Sequence, residues 1–154
     1  ELNYKTIKDR FDIFRKKIAL FLEHEYNNSI HDYNEYEEFY YIKEREKKKK
    51  KKSLSESINI MGFYSNKKVY TLLMPKIGRR AFDIEDGFIQ YLNWNKIHSL
   101  NSHQTNLNIF WKFLEDNLKK YKGFEEDNFF YYLKESEFKF NYTKDEQIEI
   151  LRNL

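Results

Sequence analysis

Residues 106–121, reading N-L-N-I-F-W-K-F-L-E-D-N-L-K-K-Y, restrict what this chain can fold into more than any other stretch. Leu107, Phe110, Trp111, Leu114, Leu118 and Tyr121 recur at steps of three and four. That spacing gathers them on one side of a 3.6-residue helix and leaves Lys112, Glu115, Asp116, Lys119 and Lys120 for water. Glu115–Lys119 and Asp116–Lys120 stand four apart, acid before base, each pair adding about 0.3 kcal/mol to the helix. Gly123 suits the left-handed residue just past a helix end. A helix with so heavy an apolar stripe has to be covered, so the rest of the chain is read for what covers it.

A second amphipathic helix spans about residues 4–25, where Ile7, Phe11, Phe14, Ile18 and Phe21 alternate steps of four and three with Leu22 beside them. Asn3 or Thr6 caps it, and Arg10, Arg15, Lys16 and Lys17 fall on its outer face. Asn27-Asn28-Ser29 reads as a break. Asp32 followed by Glu35 then opens another helix with Tyr33, Tyr36, Phe39 and Tyr40 on one side. Its acid-first, base-last order suits the helix dipole. The six lysines at 47–52 form a low-complexity, solvated connection, with an electrostatic patch as the alternative. Ser53-x-x-Glu56 has the form of a capping box and predicts a short helix over 54–61.

Between residues 62 and 81 the pattern is mixed, because the apolar run Val69 to Met74 fits a strand or a buried helical turn equally well. Asp83 and Asp86 open a helix to about Ile97, with Ile84, Phe88, Tyr91 and Leu92 inward and Trp94 at its edge; Ser102 caps the helix that follows. Past Gly123, Glu125 to Asp127 start a helix carrying Phe129, Phe130 and Leu133. Thr143-x-x-Glu146 caps a last one carrying Ile148, Leu151 and Leu154. The expectation is a single all-α domain over residues 1–154: a bundle of four to six helices with one irregular or strand-like segment around 62–81.

The 154 residues include 13 Tyr and 14 Phe but only two alanines, Ala19 and Ala81, so large flat rings must fill the single core that this length supports. The net charge of +3 is too small to argue for nucleic acid by itself. With no cysteine there is no disulfide, thiolate metal site or cysteine nucleophile. No apolar run reaches the roughly 18 residues of a membrane span, and the first ten residues are too charged for a signal peptide. His24, His31, His98 and His103 are not spaced as metal ligands on one helix face. Asp83, Glu85 and Asp86 sit where they complement a helix start. No glycine-rich phosphate loop or serine elbow is present. The expectation is therefore a chain without cofactor or metal that is not an enzyme.

Trp94-Asn95, followed by the helix Trp111-Lys112 with Glu115, Leu118, Lys120 and Tyr121, resembles the PHIST family, the helical interspersed subtelomeric proteins that malaria parasites export into red cells. The resemblance implies a helical module that binds other proteins, with the red-cell cytoskeleton or the cytoplasmic tail of a parasite surface adhesin as partner. It also implies a location in the host red-cell cytoplasm or membrane skeleton. Trp94, Trp111, Leu114 and Leu118 then belong to the structural core. On the residues themselves, the exposed cations of the central helix, Lys112, Lys119, Lys120 and Lys122, are the expected contacts for an acidic extended segment. The alternative is a nucleic-acid-binding module using 47–52 together with Lys76, Arg79 and Arg80, with Phe63 and Tyr64 as stacking platforms. No recognised nucleic-acid motif supports it, and such a partner is disfavoured.

Overall fold

A computed structural model describes residues 3–43, 57–74, 105–121 and 124–154. Helix α1 (Tyr4–Asn28) is followed by three strands, β1 (Tyr33–Tyr41), β2 (Ile58–Ser65) and β3 (Lys68–Leu73). Helices α2 (Asn106–Leu118), α3 (Phe129–Asn141) and α4 (Lys144–Asn153) complete the order, with a 3-10 turn at Glu126–Asn128 leading into α3. The strands form one antiparallel sheet in the order β1-β2-β3. The fold is therefore mixed α and β, which corrects the expectation of an all-α bundle.

The correction begins at β1, expected to be helical from Asp32 onward. In the strand, Phe39 and Tyr41 join the core and Tyr36 is 59% exposed, so alternate residues face opposite sides. Glu35 and Glu37 share the inward face with Phe39 and Tyr41, because both carboxylates bond to α2. Acids at inward positions break the apolar–polar alternation by which a strand is ordinarily recognised. The second correction is at β2, where Ile58, Ile60 and Gly62 alternate inward in place of the end of a 54–61 helix. Strands β2 and β3 are joined through Asn66 and Lys67, both left-handed at φ 52° and 63°. Two successive residues at positive φ make the turn whose twist suits a tight hairpin, and the pairing of Ser65 with Lys68 closes it.

Helix α2 lies across the inner face of this sheet. Leu107, Phe110, Trp111, Leu114 and Leu118 pack with Phe39, Tyr41, Ile58, Ile60 and Val69, and α3 adds Phe129 and Leu133. The stripe read from the sequence is thus the centre of the core, although the helix ends at Leu118 and Tyr121 lies in the turn beyond it. Its N-cap is Thr105, whose hydroxyl accepts from the Asn108 N–H at 3.0 Å. The same hydroxyl donates to Glu37 at 2.9 Å. Glu35 accepts from the N–H groups of Asn106 and Leu107 at 3.3 and 3.1 Å. A carboxylate from a neighbouring strand thereby takes first-turn donors that no residue within the helix can satisfy, at the positive end of the dipole.

Trp111 reaches over the sheet at Gly62. Its indole stacks on Phe39 with centroids 4.8 Å apart and planes 5° apart, and its N–H donates to Glu37 at 2.9 Å. A Cβ on Gly62 would fall 2.5 Å from the indole ring. The ring is held by both the stack and the hydrogen bond, so it has little room to withdraw. Gly62→Ala is expected to cost about 1–3 kcal/mol, the range for overpacking a filled core, read as a lowered urea midpoint at constant slope. No measurable loss would mean that the ring is not confined against this backbone.

The outer edge of β3 is closed by α3. The Asn141 side chain accepts from the Val69 N–H at 2.8 Å and donates to the Val69 carbonyl at 2.7 Å, imitating one rung of a strand partner. Lys134 donates to the Thr71 carbonyl at 2.7 Å and to Glu137 at 2.9 Å. Glu137, only 1% exposed, also accepts from the Thr71 hydroxyl at 2.6 Å, so the Oε2 of this buried carboxylate is held by a cation and a hydroxyl. Helix α4 begins with the expected capping box between Thr143 and Glu146. Helix α1 begins at the expected cap, Asn3, but runs through Asn27 and Asn28 to a terminus at Ser29. The expected helix over 83–97 lies outside the described residues, as do Ser102 and Gly123; Thr105 makes the cap expected at Ser102, and α2 ends at Leu118, short of the end expected at Gly123.

Candidate functional site

The apolar stripe of α1 changes character along its length. Ile18 and Leu22 are 5% and 4% exposed and pack on Phe138 of α3 and Tyr142, the residue that ends it. Further toward the N-terminus, Ile7, Phe11 and Phe14 are 40%, 55% and 46% exposed, although all five belong to the same expected inner face. For Ile7 and Phe11 the cause is length, since α1 has 25 residues and α3 has 13, whereas Phe14 faces an open concavity between α3 and α4. Arg15 meets Tyr132 and Glu135 near the start of α3, so the first turns of α1 extend past the helix that covers the rest. A row of large apolar side chains on an exposed helix face is the usual mark of an interaction surface.

Beside this row lies a groove of about 870 Å³, with Tyr4, Ile7 and Phe11 on one wall and Tyr121, Phe124 and Tyr132 on the other. It continues past Phe11 into a second concavity of about 490 Å³ lined by Phe14, Phe138, Ile148 and Leu151. Arg15, Glu135 and Lys139 border both. The Arg15 Nε donates to Glu135 Oε2, while Lys139 and the Tyr121 hydroxyl donate to Glu135 Oε1 at 2.8 and 3.1 Å. Arg15 also pairs with Asp12 at 3.0 Å, and its guanidinium lies 4.4 Å from the Tyr132 ring centroid and 5.3 Å from that of Tyr121. Aromatic faces and two carboxylates thus hold a cation that is only 8% exposed.

The protonation states follow from this packing. Burial pushes the Glu135 carboxyl up, but hydrogen bonds from Lys139 and Arg15, with their charges, outweigh it and hold the group below its ordinary range. Burial would lower Arg15 and Lys139, yet the bonds and charge of Glu135 raise both. Tyr132 is raised by its burial. A carboxylate stabilised as an anion by two cations is the reverse of one poised to give a proton near neutral pH. The cluster is a charged floor shared by the two concavities. Among the described residues, no three His, Asp or Glu side chains converge as a metal site, and no helix is long and apolar enough to cross a membrane.

The predicted contact lysines separate in the structure. Lys120 lines the groove, whereas Lys112 is exposed on α2 without lining it. Lys119 is exposed and stands 4.0 Å from Asp116, an arrangement worth little in water. Lys122 lies outside the described residues, as do Trp94, the lysine run 47–52, the 76–80 segment, Asp83, Glu85, Asp86, His98 and His103. Trp111, Leu114 and Leu118 are buried at 6%, 0% and 1% exposure. His24 bonds to Asn28 on α1, and His31 stacks on Tyr26 at 4.3 Å, so neither borders the groove.

Sequence reading assigned Arg15 to the outer face and gave Glu135 no role. The signal for Arg15 was present: Phe11, Arg15, Ile18 and Leu22 step by four, three and four, which places the arginine within a packing seam. Glu135 carries no such signal, because its place is set by the approach of two helices. No family model, curated protein or solved structure matches this chain.

Proposed function

We propose that this chain is a protein-interaction module that binds an acidic, partly apolar segment of another protein in the groove beside α1. The supporting observation is the coincidence, on one surface, of the uncovered Ile7, Phe11 and Phe14 with Lys8 and Lys120. Neither lysine has an ion pair among the described residues. The residues bordering the main concavity include four cations and only two carboxylates, so the surface favours a negatively charged partner. The resemblance to exported PHIST proteins, carried by Trp111 and the α2 residues after it, names the class of partner: a red-cell cytoskeletal component or the acidic cytoplasmic tail of a surface adhesin. The host red cell is then the place of action.

This reading moves the contact surface from the lysine face of α2 as a whole to the side where Lys120 meets α1. The test is a titration with a synthetic acidic peptide bearing scattered leucines. Lys8→Glu with Lys120→Glu is expected to weaken binding about tenfold or more and to flatten its salt dependence. Lys112→Glu with Lys119→Glu, on the same helix but away from the groove, is expected to change affinity less than about twofold. Equal losses from both pairs would reject the groove as the site, and a peptide that binds neither variant nor the parent chain would reject the function.

A further inference from the structure

We propose that the occupant of the groove is an amphipathic α-helix, seated beside α1 as a continuation of its packing with α3 and carrying acidic residues toward Lys8 and Lys120. The inference rests on the interaction function proposed above and specifies the form of the partner. Ile7, Phe11, Phe14 and Ile18 step by four, three and four, the spacing by which one helix presents a seam to another. From Ile18 onward that seam is already covered by a helix, with Ile18 and Leu22 against Phe138 and Tyr142. Upstream the same seam continues, and no element among the described residues covers Ile7, Phe11 and Phe14 there. A second helix laid on the free half would meet the ridge geometry that α3 meets on the occupied half.

The dimensions agree with this. From Tyr4 to Ile18 the helix rises about 21 Å, room for a partner of about 14 residues in four turns. The far wall is also built of side chains, Tyr121 from the bend after α2 and Tyr132, Ile148 and Leu151 from α3 and α4. A surface of this kind offers side chains and no row of backbone donors and acceptors. An extended segment lying there would leave its own peptide groups without a ladder, whereas a helix satisfies them internally. Of the two edges of the sheet, the one at β3 is occupied by Asn141 and Lys134, and β1 contributes no residue to the groove. Charge argues against a second copy of the chain. Residues 4–18 contain six cations and two carboxylates, so two copies meeting through α1 would bring like charge onto like.

The experiment compares two synthetic peptides of identical composition, about 14 residues long and built from leucine, glutamate and alanine. One places leucine at alternating steps of three and four, and the other at every second position. Binding is read by calorimetry, and helix content by circular dichroism of the mixture less its components. The helically spaced peptide is expected to bind about tenfold more tightly and to gain helicity on binding. Phe11→Ser with Phe14→Ser, both exposed side chains, is expected to reduce that affinity about tenfold while the thermal midpoint of the free protein stays nearly fixed. Equal affinity for the two peptides, or binding without gain of helix, overturns the helical form and leaves the acidic-partner reading standing. Failure of both peptides to bind overturns both readings. Sedimentation of the free protein as a dimer that the Phe11→Ser, Phe14→Ser pair dissociates would assign the seam to a second copy.

Discussion

Replacing Trp111 with alanine is expected to cost about 3–5 kcal/mol, a third or more of the stability of an ordinary domain. Three losses combine. The indole gives up its stack on Phe39 at 4.8 Å and its tilted contact with Phe110 at 5.2 Å. The cavity opens above Gly62, a residue with no side chain to collapse into it. Glu37, facing the core from β1, loses the indole N–H that it accepts at 2.9 Å and, among the described residues, keeps only the Thr105 hydroxyl. Trp111→Phe separates these terms, since it retains a ring for Phe39 but not the donor; it is expected to lose distinctly less than alanine. Urea unfolding followed by far-ultraviolet circular dichroism measures both. An alanine variant within about 1 kcal/mol of the parent would remove Trp111 from the centre of the core.

The second large effect is expected at the floor of the groove. Arg15→Met should cost about 3 kcal/mol, the low end for breaking a buried pair, because Lys139 stays on Glu135 at 2.8 Å. Asp12 loses its partner as well, but it is more than a third exposed and can be solvated. The double variant Arg15→Met, Glu135→Leu is expected to recover part of the loss, since it removes the buried carboxylate together with its cation and leaves only Lys139, 36% exposed, to turn to solvent. The pH dependence has a definite sign. The folded-state value of Glu135 lies below its ordinary 4.5, so the native state holds this carboxylate as an anion more firmly than the unfolded chain does. Its contribution is full above about pH 4.5 and is lost as pH falls from there through the depressed folded value. Glu135→Gln should therefore flatten the acid limb of the stability curve. An unchanged acid limb would show that the carboxylate is not held by these cations.

The helices were legible where their periodicity was undisturbed. In α2 the apolar residues recur at three and four, and in α4 the Thr143 and Glu146 pair sits where the cap forms. The sheet was hidden for reasons that lie in particular residues. Glu35 and Glu37 point inward because their partners are the first turn and the indole of α2, more than 60 residues away in sequence. A window around β1 contains no trace of that demand. The hairpin turn uses Asn66 and Lys67 at positive φ, with a lysine where glycine is the familiar signal. Gly62, which reads as a local interruption, is a clearance for Trp111 across the sheet. The groove was half legible: its aromatic row was visible, but whether α3 was long enough to cover that row depended on how the helices pack.

The pairing of Asn141 with Val69 also sets an order of events in synthesis. The two residues are 72 apart in sequence. At about 5–20 residues per second, a ribosome needs about 4–14 s to add the second after the first. Throughout that interval the outward groups of Val69 and Thr71 lack the α3 partners they have in the native fold. Lys67 and Lys68, flanking this edge at the turn, discourage strand-to-strand association in the meantime. A chain terminated before Asn141 would lack the Val69 closure for its lifetime, so the last turn of α3 acts as the point at which this edge of the nascent sheet is sealed.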